Sequence, residues 1–300
     1  MIEAAVFGRV GVDLYPNQLR TPLREIRTYT RFVGGFAGNV STGLARLGIR
    51  PAIVSRVGDE GHGEFVRAFL AAEGVDVRFL RVDPDWLTPP TFCEIWPPDD
   101  FPILFYRRPT APDWQISPDD FDAEEVAAAP VLFVTGTGLA QSPSRETSLA
   151  ALRAHRGTSL FDLDWRPTLW ANADEYRSLA QEAAATADVV VGNEDEVSAA
   201  GGLDTLVGVG PSAVVVKRGG DGATLFEDGE RTDVAGVPVE VVNGLGAGDA
   251  FAAGLGYAIV RGLGLGEGVR LANAAGAIVA SRVACSEAMP RLDELQGALV

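Results

Sequence analysis

Three glycines at alternate positions, Gly244, Gly246 and Gly248, separate an apolar strand-like run over residues 237–242 from a long apolar helical pattern over about 250–262. A strand–loop–helix unit of this kind commits the chain to packed layers of strand and helix. Glycine lets the backbone turn sharply and approach a ligand with no side chain between. The unpartnered amides of a first helical turn carry the positive end of the helix dipole. The loop Gly246-Ala247-Gly248 is therefore suited to an anion, phosphate above all. Asp249 follows at once, and a base beside a phosphate cradle is what phosphoryl transfer needs. The same Asp is also a favourable charge at any helix start. The spacing is not the dinucleotide fingerprint G-x-G-x-x-G, and no Lys-Ser/Thr follows to make a Walker A loop.

The rest of the chain agrees with layered α/β architecture. After Pro130, apolar strand-like runs (131–134, 158–162, 189–191, 213–217) alternate with helical stretches, with no linker, repeat or low-complexity tract. Such alternation predicts a parallel sheet with helices on both faces. Three hundred residues of 47% hydrophobic content bury a substantial core. The net charge of −16 argues against a nucleic-acid partner, which needs a cationic face. No apolar run approaches about 18 residues, the length of a membrane span. The start Met1-Ile2-Glu3 does not read as a secretory signal, and two cysteines, Cys93 and Cys285, make no disulfide framework. The expected compartment is a reducing cytoplasm.

Near the N-terminus, residues 3–12 read as a first buried strand that leaves Asp13 at its carboxyl end, where parallel sheets bind ligands. Asp there also commonly caps a turn. Residues 14–32 and 88–110 alternate in polarity around Pro/Asp turns and predict a small β lid. A lid excludes water from a site, and its aromatic face equally suits a homodimer surface. Between them Gly34-Gly35-Phe36-Ala37-Gly38-Asn39 reads as a glycine turn feeding a small-residue helix that stops at Gly48.

Gly246-Ala247-Gly248-Asp249-Ala250-Phe251 resembles the C-terminal signature of the ribokinase-like (phosphofructokinase-B) carbohydrate kinases, and residues 34–48 resemble their N-terminal one. The resemblance extends over nearly the whole chain. Further stretches (7–16, 97–102, 162–167 and 284–290) bring it near the inositol-catabolic sugar-acid kinases of that family. It implies one domain over 1–300, a three-layer αβα sandwich with a mostly parallel sheet and a small β lid. It implies ATP as phosphoryl donor and an anion hole at Gly246, Ala247 and Gly248, with Asp249 taking the proton of the attacking hydroxyl. Asp13, Gly34, Gly35 and Asn39 would contact the sugar. Asn193 and Glu196, in an N-x-x-E element, would orient Mg²⁺ through water. Lys217, Gly219 and Gly222 would form the nucleotide loop, with Asn273 beside the adenine. The family usually has Asp-Thr-Thr where Asn243-Gly244-Leu245 stands, which leaves a monovalent cation requirement open.

Each position also has a plainer use. Asn193 to Glu196 is a good capped helix start. Asn273 sits in a helix of small residues suited to close packing. Arg166, after Asp162-Leu163-Asp164-Trp165, is an ordinary ion-pair partner. Arg107 comes from the lid, however, and two arginines converging on one sugar pocket favour a carboxylate-bearing substrate, because the guanidinium fork matches a carboxylate. The expectation is an ATP-dependent sugar-acid kinase acting on a terminal (C6) hydroxyl. Its rivals are a 2-keto-3-deoxygluconate or neutral-sugar kinase, a non-catalytic sugar sensor and, more remotely, a nicotinamide oxidoreductase.

Overall fold

The computed structural model describes residues 1–299. In chain order the strands are β1 (Ala4–Phe7), β2 (Gly11–Pro16), β3 (Tyr29–Gly34), β4 (Pro51–Gly58), β5 (Leu80–Asp83), β6 (Pro90–Cys93), β7 (Ile103–Phe105), β8 (Val131–Thr135), β9 (Thr158–Asp162), β10 (Val189–Asn193), β11 (Ala213–Lys217), β12 (Ala223–Glu227) and β13 (Glu230–Val234). Nine of them form one sheet in the order β13-β12-β11-β10-β9-β8-β1-β4-β5. Every pair from β5 to β11 is parallel, and only the β11–β12 and β12–β13 pairs run antiparallel.

Burial on both faces explains why these strands read as continuous apolar runs. In β8 and β10, Leu132, Val134 and Val190 join one core, which the helices Ser144–Ala154 and Ala173–Ala184 cover with Leu149, Leu152 and Tyr176. Their neighbours Val131, Phe133, Val189 and Val191 join the opposite core, under the helices Phe36–Arg46, Ala247–Val260 and Leu265–Ala280. The result is the expected αβα sandwich.

The helix Ala247–Val260 is seated by its small residues. A Cβ on Gly256 would lie 2.3 Å from Cζ of Phe133, and one on Gly254 2.9 Å from the Ala272 backbone. We therefore expect Gly256→Ala to cost about 2 kcal/mol: overpacking outweighs the gain in helix propensity of roughly 1 kcal/mol. Urea unfolding checks this, and an unchanged midpoint would show that Phe133 yields freely.

Four strands make a separate small sheet in the order β3-β2-β6-β7, in which β2–β6 is parallel and the other two pairs are antiparallel. Two sequence expectations change in the structure, and one element has no counterpart among them. The apolar run 3–12 is two strands in two different sheets, divided at Gly8 (φ 145°), so Asp13 lies on β2 of the small sheet and not at the end of β1. Residues 237–242 form no strand, and Val237, Val239 and Val241 line a cavity instead. The hairpin β12–β13 went unread, although its two-residue turn, Asp228-Gly229, has positive φ at both positions (52° and 78°), as a tight hairpin turn requires.

Candidate active site

The carboxyl ends of β8 to β11 and the N-terminus of the helix Ala247–Val260 meet beside the small sheet. Gly246 caps that helix in the left-handed region (φ 84°), where a side chain would also strike Cβ of Cys285 at 2.8 Å. The loop opens on a cavity of about 370 Å³ lined by Lys217, Gly219, Gly220, Gly222, Ala247, Gly248, Asn273 and Gly276. The glycines, Lys217 and Asn273 assigned from sequence to the nucleotide thus share one concave wall. Within it, Asn273 donates from Nδ2 to the carbonyls of Ala235 (3.1 Å) and Val234, which ties down the loop after β13. Pro98 and Asp99, from the turn between β6 and β7, reach the same cavity, and a Cβ on Gly244 would stand 2.8 Å from the Phe101 ring.

Asp249 is half-buried in the first helical turn. Its Oδ2 accepts a 2.6 Å hydrogen bond from Nδ2 of Asn39, whose Oδ1 in turn accepts from the hydroxyl of Ser286. Enclosure raises the pKa of Asp249 above the ordinary carboxylate value. The Asn39 bond opposes that shift, the charge of Asp164 adds to it, and Arg9 and Arg166 work against it. Asp13 is pushed up to about 6, chiefly by burial. A hydrogen bond from the Cys285 thiol (3.4 Å) and the charges of Arg9 and Arg107 oppose the shift, while Asp249 adds to it. Gly34 pairs with Gly11 in the ladder and leaves room for Asp13, since a Cβ there would fall 2.1 Å from the Asp13 carboxyl carbon. Gly35 has φ 84°, and a Cβ on it would meet the Arg9 carbonyl at 2.6 Å.

Below these groups runs a chain of ion pairs. Lys217 lies 3.2 Å from Asp162 and 3.7 Å from Glu196, and Glu196 lies 3.3 Å from Arg166. Arg166 contacts Asp164 at 3.1 Å, and Asp164 contacts Arg9 at 2.9 Å. Burial acts to lower the pKa of Lys217, but the carboxylates of Asp162 and Glu196 more than reverse it, so the amine stays charged. Burial lifts Asp162 to about 7 against the pull of Lys217. In the segment 162–166 Asp164 has φ 34°, which turns its carboxylate to Arg9 while Asp162 faces Lys217.

Other predicted residues have defined protein partners. Arg107 makes a two-armed pair with Asp113 at 2.5 and 2.6 Å, deep under the small sheet. Arg166 and Arg107 are thus held by different carboxylates. Asn193 and Glu196 form a reciprocal capping box, the Asn193 side chain accepting from the Glu196 amide and the Glu196 carboxylate from the Asn193 amide, both at 2.8 Å. Asn243 carries a neutral amide that donates to the Val283 carbonyl (2.6 Å) and accepts from Leu245 N–H. Arg9, Thr137 and Ser286 were missed from sequence. Arg9 and Thr137 bond to each other across 128 positions of chain, beyond any local pattern.

Residues 1–292 match the pfkB family carbohydrate kinases. A 5-dehydro-2-deoxygluconokinase of Shouchella clausii is 35% identical over 98% of this chain and 94% of its own length, and one of Clostridium tetani is 33% identical over 98% and 92%. The crystal structure of aminoimidazole riboside kinase from Salmonella enterica, complexed with aminoimidazole riboside and an ATP analogue, superposes with a TM-score of 0.83 at 29% identity, covering 99% of both chains. The phosphate-suited glycine loop, the carboxylate beside it and these likenesses agree: the chain belongs to the pfkB family of carbohydrate kinases and is a sugar kinase that uses ATP.

Proposed function

We propose that the enzyme phosphorylates the terminal C6 hydroxyl of a sugar acid, with 5-dehydro-2-deoxy-D-gluconate as the substrate. The observation that carries this reading is Asp249 itself, in the first helical turn after the glycine loop, bonded to Asn39 and acted on by the charges of Asp164, Arg9 and Arg166. The names of the two curated relatives support the choice of acid. Asp249 takes the proton from the sugar hydroxyl as that oxygen attacks the γ-phosphate in line. The amides of Gly246 to Asp249 and the ammonium of Lys217 stabilise charge on the transferring group. Asp13, on the small sheet that covers the site, accepts hydrogen bonds from sugar hydroxyls.

Magnesium is the expected companion of ATP. Among the described residues no three His, Cys, Asp or Glu side chains gather to hold a metal, and the Glu196 oxygens already have cationic and amide partners. That donor set fits an ion held chiefly by phosphates and water, with Glu196 and Asn193 reaching its water shell. The ion would neutralise phosphate charge.

ADP release across a panel of sugar acids and neutral sugars tests the reading, with 5-dehydro-2-deoxy-D-gluconate expected to show the highest kcat/KM. A neutral-sugar kinase is the second reading, favoured by the Asp113 pairing that fills the two arms of Arg107. A higher kcat/KM on a neutral sugar would decide for it. Acidity should also matter. Asp13, lifted to about 6, gains a proton as pH falls and then no longer accepts from a sugar hydroxyl, so kcat/KM should decline about tenfold per unit below roughly pH 6, and the raised pKa of the base Asp249 acts in the same direction. A profile flat down to pH 5 would contradict this.

A further inference from the structure

Arg9 stands in the short crossing from the large sheet to the small one, between β1 and β2. Its backbone carbonyl accepts the Ala37 amide at 2.9 Å, which fixes it against the start of the helix Phe36–Arg46. The side chain is nearly buried, and two of its nitrogens are committed to the core: Nε donates to Thr137 Oγ1 at 2.8 Å and Nη2 to Asp164 Oδ2 at 2.9 Å. Thr137 is itself anchored by a hydrogen bond to Asp164. From the other side the Phe105 ring of β7 lies 5.5 Å from the guanidinium carbon, so the group sits between the two sheets. The third nitrogen, Nη1, has no protein partner, yet it is not among the atoms sealed from solvent. The charge of Arg9 acts on both Asp13 and Asp249, the two carboxylates that flank the sugar position.

Arg107 contrasts with it at each point. Both of its terminal nitrogens are occupied by Asp113, and its Nε is sealed from water with no partner. A guanidinium held on two arms, with the third in contact with solvent, is a preorganised receptor for an oxyanion. We propose that Arg9 is a specificity-determining residue, whose Nη1 donates to the carboxylate of the sugar acid while Thr137 and Asp164 hold the guanidinium in place. The proposal rests on the sugar-acid reading above. It moves the discrimination of acid from neutral sugar onto a residue for which the sequence showed no signal.

The test compares the wild-type enzyme with Arg9→Met and Arg9→Lys by coupled ADP release. The substrates are 5-dehydro-2-deoxy-D-gluconate and its neutral counterpart with a hydroxymethyl group in place of the carboxylate. Assayed at about pH 8.5, so that Asp13 and Asp249 stay ionised without the Arg9 charge, Arg9→Met should raise KM for the acid about 100-fold, with KM for ATP and for the neutral compound changed less than threefold. Arg9→Lys keeps a cation beside Asp164 and so guards against misfolding. It lacks the second arm, and KM for the acid should still rise about tenfold. An equal rise for acid and neutral substrates would overturn the proposal by reducing Arg9 to scaffold, and so would an unchanged KM for the acid in either folded variant. A wild-type enzyme with no preference for acids would remove the sugar-acid reading itself. An acid preference that survives both substitutions would remove only the role of Arg9.

Discussion

Asp249→Asn should fold normally and lose on the order of 10³–10⁴-fold in kcat, with KM for ATP within about twofold of wild type. The amide is isosteric, and its oxygen can still accept the Asn39 hydrogen bond that holds the carboxylate at 2.6 Å. Only the capacity to take a proton is removed. The glycine loop and Lys217, which bind phosphate in our reading, are untouched, so nucleotide affinity should persist. Replacing a partly enclosed carboxylate of raised pKa also relieves a desolvation cost, so thermal stability at pH 8 should not fall. Steady-state kinetics with a melting curve on the same preparation decide the matter. A kcat within tenfold of wild type would mean that the base lies elsewhere.

The second large effect is expected at Lys217. Lys217→Met leaves Asp162 and Glu196 facing each other without the ammonium between them. Removing one partner of a buried pair costs about 3–5 kcal/mol, because the remaining charge is left uncompensated. Asp162 limits the damage by taking a proton: its pKa, already about 7, rises further without Lys217. A buried acid whose folded pKa lies above its unfolded value favours folding at low pH, and that benefit is lost as pH rises through the folded value. The variant should therefore be closest to wild type near pH 6 and least stable at pH 8 and above. Adding Asp162→Asn should restore most of the loss at pH 8, while KM for ATP stays raised about 10–100-fold in both variants. Urea titrations at the two pH values and ATP kinetics check this. Equal destabilisation at both would show that Asp162 does not protonate.

Much of this arrangement could be read before the structure, for identifiable reasons. The strands β8 to β11 are buried on both faces and so stand out as apolar runs, and the helix that carries Asp249 follows a glycine loop whose chemistry is local. The break between β1 and β2 was hidden for the same reason: Val6, Phe7, Val10 and Val12 are all buried, and Arg9, the charged residue at the crossing, is buried with them. The valines of 237–242 resemble a strand because they are apolar, but they face a cavity and not a ladder. Arg9 was illegible because its meaning depends on Thr137 and Asp164, 128 and 155 positions away. The partner of Arg107 lies only six residues on, at Asp113, within the span of a local sequence pattern.

The hairpin that ends the large sheet has a consequence for the molecule in solution. β13 presents an open edge, the kind of surface on which a stray extended segment of another chain can add. Its sequence, Glu230-Arg231-Thr232-Asp233-Val234, places three charged side chains along that rim, and the first four residues are exposed. Any segment approaching the rim would have to bury those charges, so the sheet stops growing there and aggregation by strand addition is disfavoured.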